Sequence, residues 1–407
     1  MDKKILAIIV AAIIVVAGVA VYFVFHKDKD DSLNIVGRVN SEGSGIILKA
    51  GEERSDYITE YVIEPGLGAK YIYNESAGIW YVFNASNWGG KIFCTPGAAT
   101  IQHVQLGQLA NLMGLKYVSY TENTALSSDT LYYVAGVPSY ADFENKLKSA
   151  PDAMVGFIIW EAQYSVGLQK GCVSLAMTND LFDGHTCCII AARHAFLNDN
   201  AQAMSAFLDV FVKSTKRIND ALDAGSGSDY DALISIAKNR VAMPDSLTDA
   251  QKEAAIKSSL LNVTYINYDD TNGGLNNLRK DIAELAEALV TSNQISKTPS
   301  DLGFASYSAL AEKFVDDSYM KDAVKGVTLE SKKTISVAVI AGDIHQIAIW
   351  FALDTGMFEA ANISLDIASQ GNGPAVYTVL ANGEADIGFL GAPPMTIRSM
   401  NGENITA

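Results

Sequence analysis

Apolar and polar positions follow two periods along this chain, and the dominant period changes with position. Ile5–Phe25 has no period at all: it is an unbroken apolar run of about 21 residues, long enough to cross a bilayer. Asn34–Asn40 (NIVGRVN) alternates and predicts a strand, Ser41–Gly45 a glycine turn, and Ile46–Leu48 a second short apolar run. Residues 56–88 carry the β-type runs YITEYVIE and GIWYVFN and read as a hairpin-like insertion. Lys91–Thr95 predicts a strand broken by Pro96-Gly97. Ala99–Met113 follows as a helix with Ile101, Val104, Leu106, Leu109 and Leu112 apolar. Lys116–Tyr120, Ala153–Trp160 and Cys188–Ala192 predict further strands. From Asn200 the period becomes helical, over Ala201–Leu222, Asp249–Leu261, Leu275–Ser292 and Tyr307–Val324. Gly326–Thr334 is a polar linker, and Ile335–Ile340 a last clear strand start. Strands alternating with helices imply an α/β fold, a parallel sheet with helices on both faces.

Composition narrows the function. The 407 residues suffice for two lobes, and the formal net charge is -16. Lys and Arg form no cluster, which argues against nucleic acid as a partner. Lys3 and Lys4 precede the apolar run, so an uncleaved anchor over residues 5–25 would leave the first residues in the cytoplasm. A cleaved signal peptide is the alternative; either way, the chain from about residue 32 onward is expected outside the cytoplasm. The expectation is a single-pass protein of the cell membrane with an extracytoplasmic C-terminal domain. Cys94, Cys172, Cys187 and Cys188 have neither disulfide-framework nor zinc spacing and read as small buried hydrophobes. No metal and no cofactor are expected. Sequons stand at Asn74, Asn84, Asn262, Asn362 and Asn404. GxSxG, HExxH and P-loop motifs are missing, so an enzyme is not expected.

Two segments near the C-terminus carry a resemblance. GDIHQIAIWFALDTGMFEAANISLDI (342–367) and GNGPAVYTVLANGEADIGFLGAPP (371–394) resemble the opening strands and helices of ABC-transporter solute-binding proteins of the nitrate/sulfonate/taurine/bicarbonate type. Earlier segments resemble the later half of the same family: VGRVNSEGSGIIL, GGKIFCTPGAATIQHVQLGQLANLMGL, VGFIIWEAQYSVGL and DGHTCCIIAARHAFL. Each piece occurs once, in rotated order. The resemblance therefore implies a two-lobe periplasmic-binding-protein-like fold of type II in circularly permuted order. The old ends would be fused through residues 326–334. It predicts that NIVGRVN, ISVAVI and ADIGFL share one sheet. The implied organisation is 1–31 anchor and short linker, 32–88 lobe I strand plus insertion, and 89–184 lobe II. Residues 185–325 would return to lobe I and the closing helices, and 335–407 would complete lobe I. Two positions depart from the family pattern: Ala162 replaces the proline after Trp160-Glu161, and the acid expected before Trp160 is missing from Val155-Gly156-Phe157.

The resemblance implies capture of a small anionic solute, an organic sulfonate or similar oxyanion favoured, for delivery to an ABC permease and its ATPase. A membrane-tethered sensor and an enzyme resembling thiamine-pyrimidine synthase are the alternatives. The expected ligand contacts are Asp343, His345 and Gln346 after the first strand, and Gly371, Asn372 and Gly373 at one helix start. Gly391 and Ala392 are expected at another helix start. Ser41, Thr95, Gly97, Thr100, Gln102, Glu161 and His185 are expected from the remaining junctions. Helix starts carry unpaired N–H groups and partial positive charge, which suit an anion. Glu161 and Asp343 together have two readings, recognition of an ammonium group or a hinge hydrogen-bond pair. Trp160 either stacks on the ligand or packs in the core.

Overall fold

The computed structural model describes residues 32–182, 184–268, 277–292 and 294–404. The run Ile5–Phe25 lies outside them; among the described residues no helix is long and apolar enough to cross a membrane.

The chain first builds β1 (Leu33–Glu42) and β2 (Ser44–Leu48), then β3 (Ile58–Tyr61), β4 (Lys70–Asn74) and β5 (Ile79–Phe83). Next come β6 (Ile92–Cys94), β7 (Lys116–Ser119), β8 (Thr130–Val134), β9 (Met154–Trp160) and β10 (Val173–Met177). β11 (Thr186–Arg193), β12 (Val263–Tyr265), β13 (Lys333–Ile340), β14 (Ile363–Gln370) and β15 (Ile387–Gly391) complete the strands. Two six-stranded sheets result, ordered β12-β1-β11-β15-β13-β14 and β10-β2-β9-β6-β8-β7. Both are mixed. β13 runs parallel to β14 and β15, while β1 and β11 run antiparallel to their neighbours. In the second sheet β6 runs parallel to β8 and β9, and β2 is antiparallel. The N-terminal strand and the C-terminal strands thus share the first sheet, joined through β11.

Helices α1 (Ile101–Leu112), α2 (Tyr140–Leu147) and α3 (Gln163–Gln169) belong with the second sheet. The first is covered by α4 (Ala201–Ala224), α5 (Ser228–Arg240), α6 (Asp249–Asn262), α7 (Leu278–Thr291), α8 (Ile347–Asp354), α9 (Gly373–Ala381) and α10 (Ala392–Met400). The Phe207 and Phe211 rings of α4 pack on Phe389 of β15, and Phe207 also stacks on Phe358. Aromatic burial of this kind is a large part of what holds helix to sheet.

The chain crosses between the sheets at a single residue. β1 ends at Glu42 in the first sheet and β2 begins at Ser44 in the second. Gly43 between them has φ +81°, the left-handed region that glycine reaches without steric cost. The return crossing runs from β10 to β11. Ser44–Leu48 therefore lies in the second lobe, not with the lobe I residues where residues 32–88 were expected. The insertion is a three-stranded antiparallel sheet, β3-β5-β4, packed beside the second lobe through Asn74, whose side chain donates to the carbonyls of Asn179 and Asp180.

The expected helix Tyr307–Val324 is two short helices, Tyr307–Ala311 and Ser318–Ala323. Between them Ile35 of β1 donates to the Phe314 carbonyl at 2.7 Å and accepts from the Asp316 amide at 2.8 Å. Edge pairing with β1 thus takes the backbone groups that a continuous helix would need. The structure also adds β8 and α5, which the sequence pattern did not single out.

Candidate functional site

A cavity of about 460 Å³ opens between the two sheets. Its walls come from residues just past the carboxyl ends of parallel strands. Pro96–Gln102 follow β6, Gly136 and Pro138 follow β8, and Trp160 ends β9. On the facing side Asp343 and His345 follow β13, Gly371–Pro374 follow β14, and Gly391 ends β15. Ligands of open α/β sheets sit in this position, where loops fan apart and helices begin.

Three helix starts meet here. Thr100 caps α1, its hydroxyl accepting from the His103 amide. Asn372 caps α9, its side-chain oxygen accepting from the Ala375 amide at 2.9 Å. These caps satisfy one first-turn donor in each helix. The first-turn amides of Ile101, Gln102 and Gly373, all on cavity-lining residues, precede the reach of the i→i−4 ladder. Gly391 caps α10 with no side chain of its own. The α9 and α10 starts lie close together: a Cβ on Gly373 would come within 3.3 Å of Pro394 and 3.5 Å of the Gly391 nitrogen. The helix dipoles contribute partial positive charge to this corner, although the chain is acidic overall.

His345 holds the floor. Its Nδ1 lies 2.7 Å from Asp343 Oδ1, and its Nε2 lies 3.0 Å from the Gly43 carbonyl oxygen. A carbonyl only accepts, so Nε2 carries a proton. Burial alone would lower the imidazolium pKa, but the Asp343 carboxylate, the Cys187 thiol and the Gly43 carbonyl outweigh it and raise it to about 9. The Asp343 carboxylate also accepts from the His345 amide at 3.0 Å, which folds the loop after β13 into a tight turn.

Of the expected contacts, nine line this cavity: Gly97, Thr100, Gln102, Asp343, His345, Gly371, Asn372, Gly373 and Gly391. The other six do not. Gln346 is buried, its side chain accepting from the Ile340 amide and donating to the Phe389 carbonyl. Ala392 is fully buried behind Gly391. Ser41 is buried beneath Arg38, whose guanidinium donates to its hydroxyl. Thr95 is fully buried, its hydroxyl 3.2 Å from His103 Nδ1. His185 lines a separate groove of about 340 Å³ beside α7, its ring held at the Phe182 carbonyl.

Glu161 is the sixth. Its carboxylate is 0% exposed and accepts four hydrogen bonds, from the Ser165 amide and hydroxyl, the Ser259 hydroxyl and the Asn262 side chain. Ser259 and Asn262 belong to α6, which packs over the first sheet, so this carboxylate ties the two lobes together. Burial holds its pKa above the ordinary carboxylate value, and the four donors offset only part of that rise. Its partners are Ser165, Ser259 and Asn262, not Asp343 with which it was expected to pair. The Asn262 amide, engaged here at 2.6 Å, is also not free to carry a glycan.

The cavity is also lined by residues outside the fifteen expected contacts. Cys187 and Cys188 line its floor, buried yet turned toward it. Trp160 is half-buried and lines the wall, so its ring serves the cleft as well as the core. No sequence signal places the cysteines there: two adjacent thiols at a strand start share one face only if the strand bulges, and no sequence period reports a bulge.

No family model and no curated protein matches the chain. Among solved structures, the chain is similar to the periplasmic nitrate-binding protein NrtA from Synechocystis PCC 6803, at 12% identity and a TM-score of 0.42, over 72% of this chain and 67% of that one.

Proposed function

We propose that this chain is an extracytoplasmic solute-binding protein. It captures a small anion in the interlobe cavity and delivers it to an ABC importer. The observation that carries this reading is the meeting of the α1, α9 and α10 starts on one cavity between two lobes. The backbone N–H groups of Ile101, Gln102 and Gly373, the helix dipoles and the His345 imidazolium on the floor would together recognise an anion. The resemblance of residues 342–394 to solute-binding proteins of the nitrate/sulfonate type supports the same reading. An organic sulfonate or a related oxyanion is the favoured ligand class, because three oxygen acceptors suit several convergent donors.

The rotated segment order is read as circular permutation, and the sharing of one sheet by β1, β13 and β15 is consistent with it. The run Ile5–Phe25 would tether the lobes to the outer face of the membrane. Capture then proceeds by closure about Gly43 and the β10–β11 crossing. A ligand that touches both lobes favours the closed form by its extra contacts there, and a permease reads the closed surface. Mass spectrometry of small molecules that co-purify with the protein tests the reading. A bound sulfonate or oxyanion supports it; a neutral or cationic solute in the cavity overturns it.

A further inference from the structure

We propose that the floor of the interlobe cavity is also a site for a thiophilic divalent metal ion, held by Cys188, Asp343 and His345 with Cys187 beside them. The Cys188 thiol, a carboxylate oxygen of Asp343 and a ring nitrogen of His345 all lie within 4.8 Å of one another. All three residues line the cavity, and Cys187 Sγ is 3.9 Å from Cys188 Sγ. One four-coordinate ion, with metal–sulfur bonds of about 2.3 Å and metal–nitrogen bonds of about 2.0–2.1 Å, would draw such donors together by small side-chain rotations.

Local structure prepares this cluster. Successive residues of a regular strand point to opposite faces. Here the β1–β11 register runs from Asn40 opposite Cys188 to Ser41 opposite Thr186, which skips Cys187. The bulge brings both thiols to the same cavity. His345 is oriented as metal-bound histidines usually are, with one ring N–H donated to a backbone carbonyl, that of Gly43. Its other nitrogen, Nδ1, points at Asp343 Oδ1 and is the one available to an ion. Binding would replace the proton shared between Nδ1 and Asp343 and the proton on the Cys188 thiol, so both are released to solvent.

The donor set selects the ion. One sulfur, one imidazole nitrogen and one carboxylate suit zinc or cadmium, whereas magnesium and calcium prefer oxygen throughout. Three protein donors leave one coordination position open toward the cavity. The inference stands on the donor geometry and does not need the anion reading.

Cadmium chloride titrated into the reduced full-length protein tests it, followed by the ultraviolet thiolate-to-cadmium charge-transfer band. The expected result is one cadmium per chain, loss of the band in Cys188→Ser, and affinity at least ten-fold weaker in Asp343→Asn. Cys94→Ser and Cys172→Ser should keep the band. Absence of the band in the wild-type protein, or its survival in Cys188→Ser, overturns the proposal. If Cys188→Ser does not fold, cadmium-113 NMR of the wild-type protein decides instead: a shift typical of mixed sulfur and nitrogen ligands supports the site, and one typical of oxygen ligands alone overturns it. Anion titrations run with chelator present report on the solute-binding reading separately, so failure of one does not mask the other.

Discussion

His345 Nε2 donates to the carbonyl oxygen of Gly43 across 3.0 Å, tying the loop after β13 to the residue at which the chain first passes from lobe to lobe. The same carbonyl accepts from the Glu161 amide at 2.8 Å. One backbone oxygen therefore joins the crossing, the cleft floor and the backbone of Glu161, whose carboxylate bridges the lobes.

Gly43→Ala should disrupt this junction. Its φ of +81° disfavours any side chain, and a Cβ would lie 2.6 Å from His345 Nε2 and 2.8 Å from Val263 Cγ2. Strain of this kind costs about 1–3 kcal/mol. Urea denaturation should show that loss, together with weaker ligand binding because His345 is displaced. An unchanged midpoint would mean that the crossing tolerates a side chain and is not the constrained hinge described above.

Glu161→Ala should destabilise more than Glu161→Gln. The alanine leaves four donors around an empty buried site, at a cost of about 3 kcal/mol or more. Glutamine keeps one acceptor oxygen and should recover part of that. Chemical denaturation of the two variants checks the order. Equal stability of Glu161→Ala and wild type would remove the carboxylate from its bridging role.

The sequence revealed the frame of the site better than its floor. Pro96-Gly97, Gly371–Pro374 and Gly391–Pro394 are turn and helix-start signals with a local mechanism, and all three border the cavity. Asp343 and His345 were legible for the same reason, because they follow a clear strand. Glu161 and Thr95 lie outside the cavity lining, and the hydrogen bonding that holds them there, to Ser259, Asn262 and His103, has no trace in local pattern. The helix expected over 307–324 failed likewise: its periodicity is sound, but Ile35, far away in sequence, captures the backbone at Phe314 and Asp316. Cys187 and Cys188 hid in a bulge that only pairing with β1 defines.

His103 should make the fold sensitive to acid. It is buried between the rings of Tyr117 and Tyr133, and burial lowers its pKa from 6.5 to about 4. The folded state thus favours the neutral ring. That contribution is complete above pH 6.5 and is lost as pH falls toward 4, at up to about 1.4 kcal/mol per pH unit. His103→Gln, which does not titrate, should show a shallower loss of stability between pH 6.5 and 4 in urea unfolding. Identical slopes in the two proteins would contradict the assignment.

Calorimetric titration with nitrate and a panel of organic sulfonates, comparing wild type with Gly97→Asp, addresses anion capture at the helix starts directly. Gly97 lies at the mouth of α1, and a Cβ there meets only Thr100 Cγ2, at 3.9 Å, so the substitution adds charge without crowding. A carboxylate facing the bound anion should weaken binding by about 1–2 kcal/mol, roughly ten-fold or more, with the melting temperature unchanged. Saturable binding of one of these anions to wild type, reduced in this way by Gly97→Asp, is the predicted result. No binding by any of them, or binding that Gly97→Asp leaves intact, would contradict it.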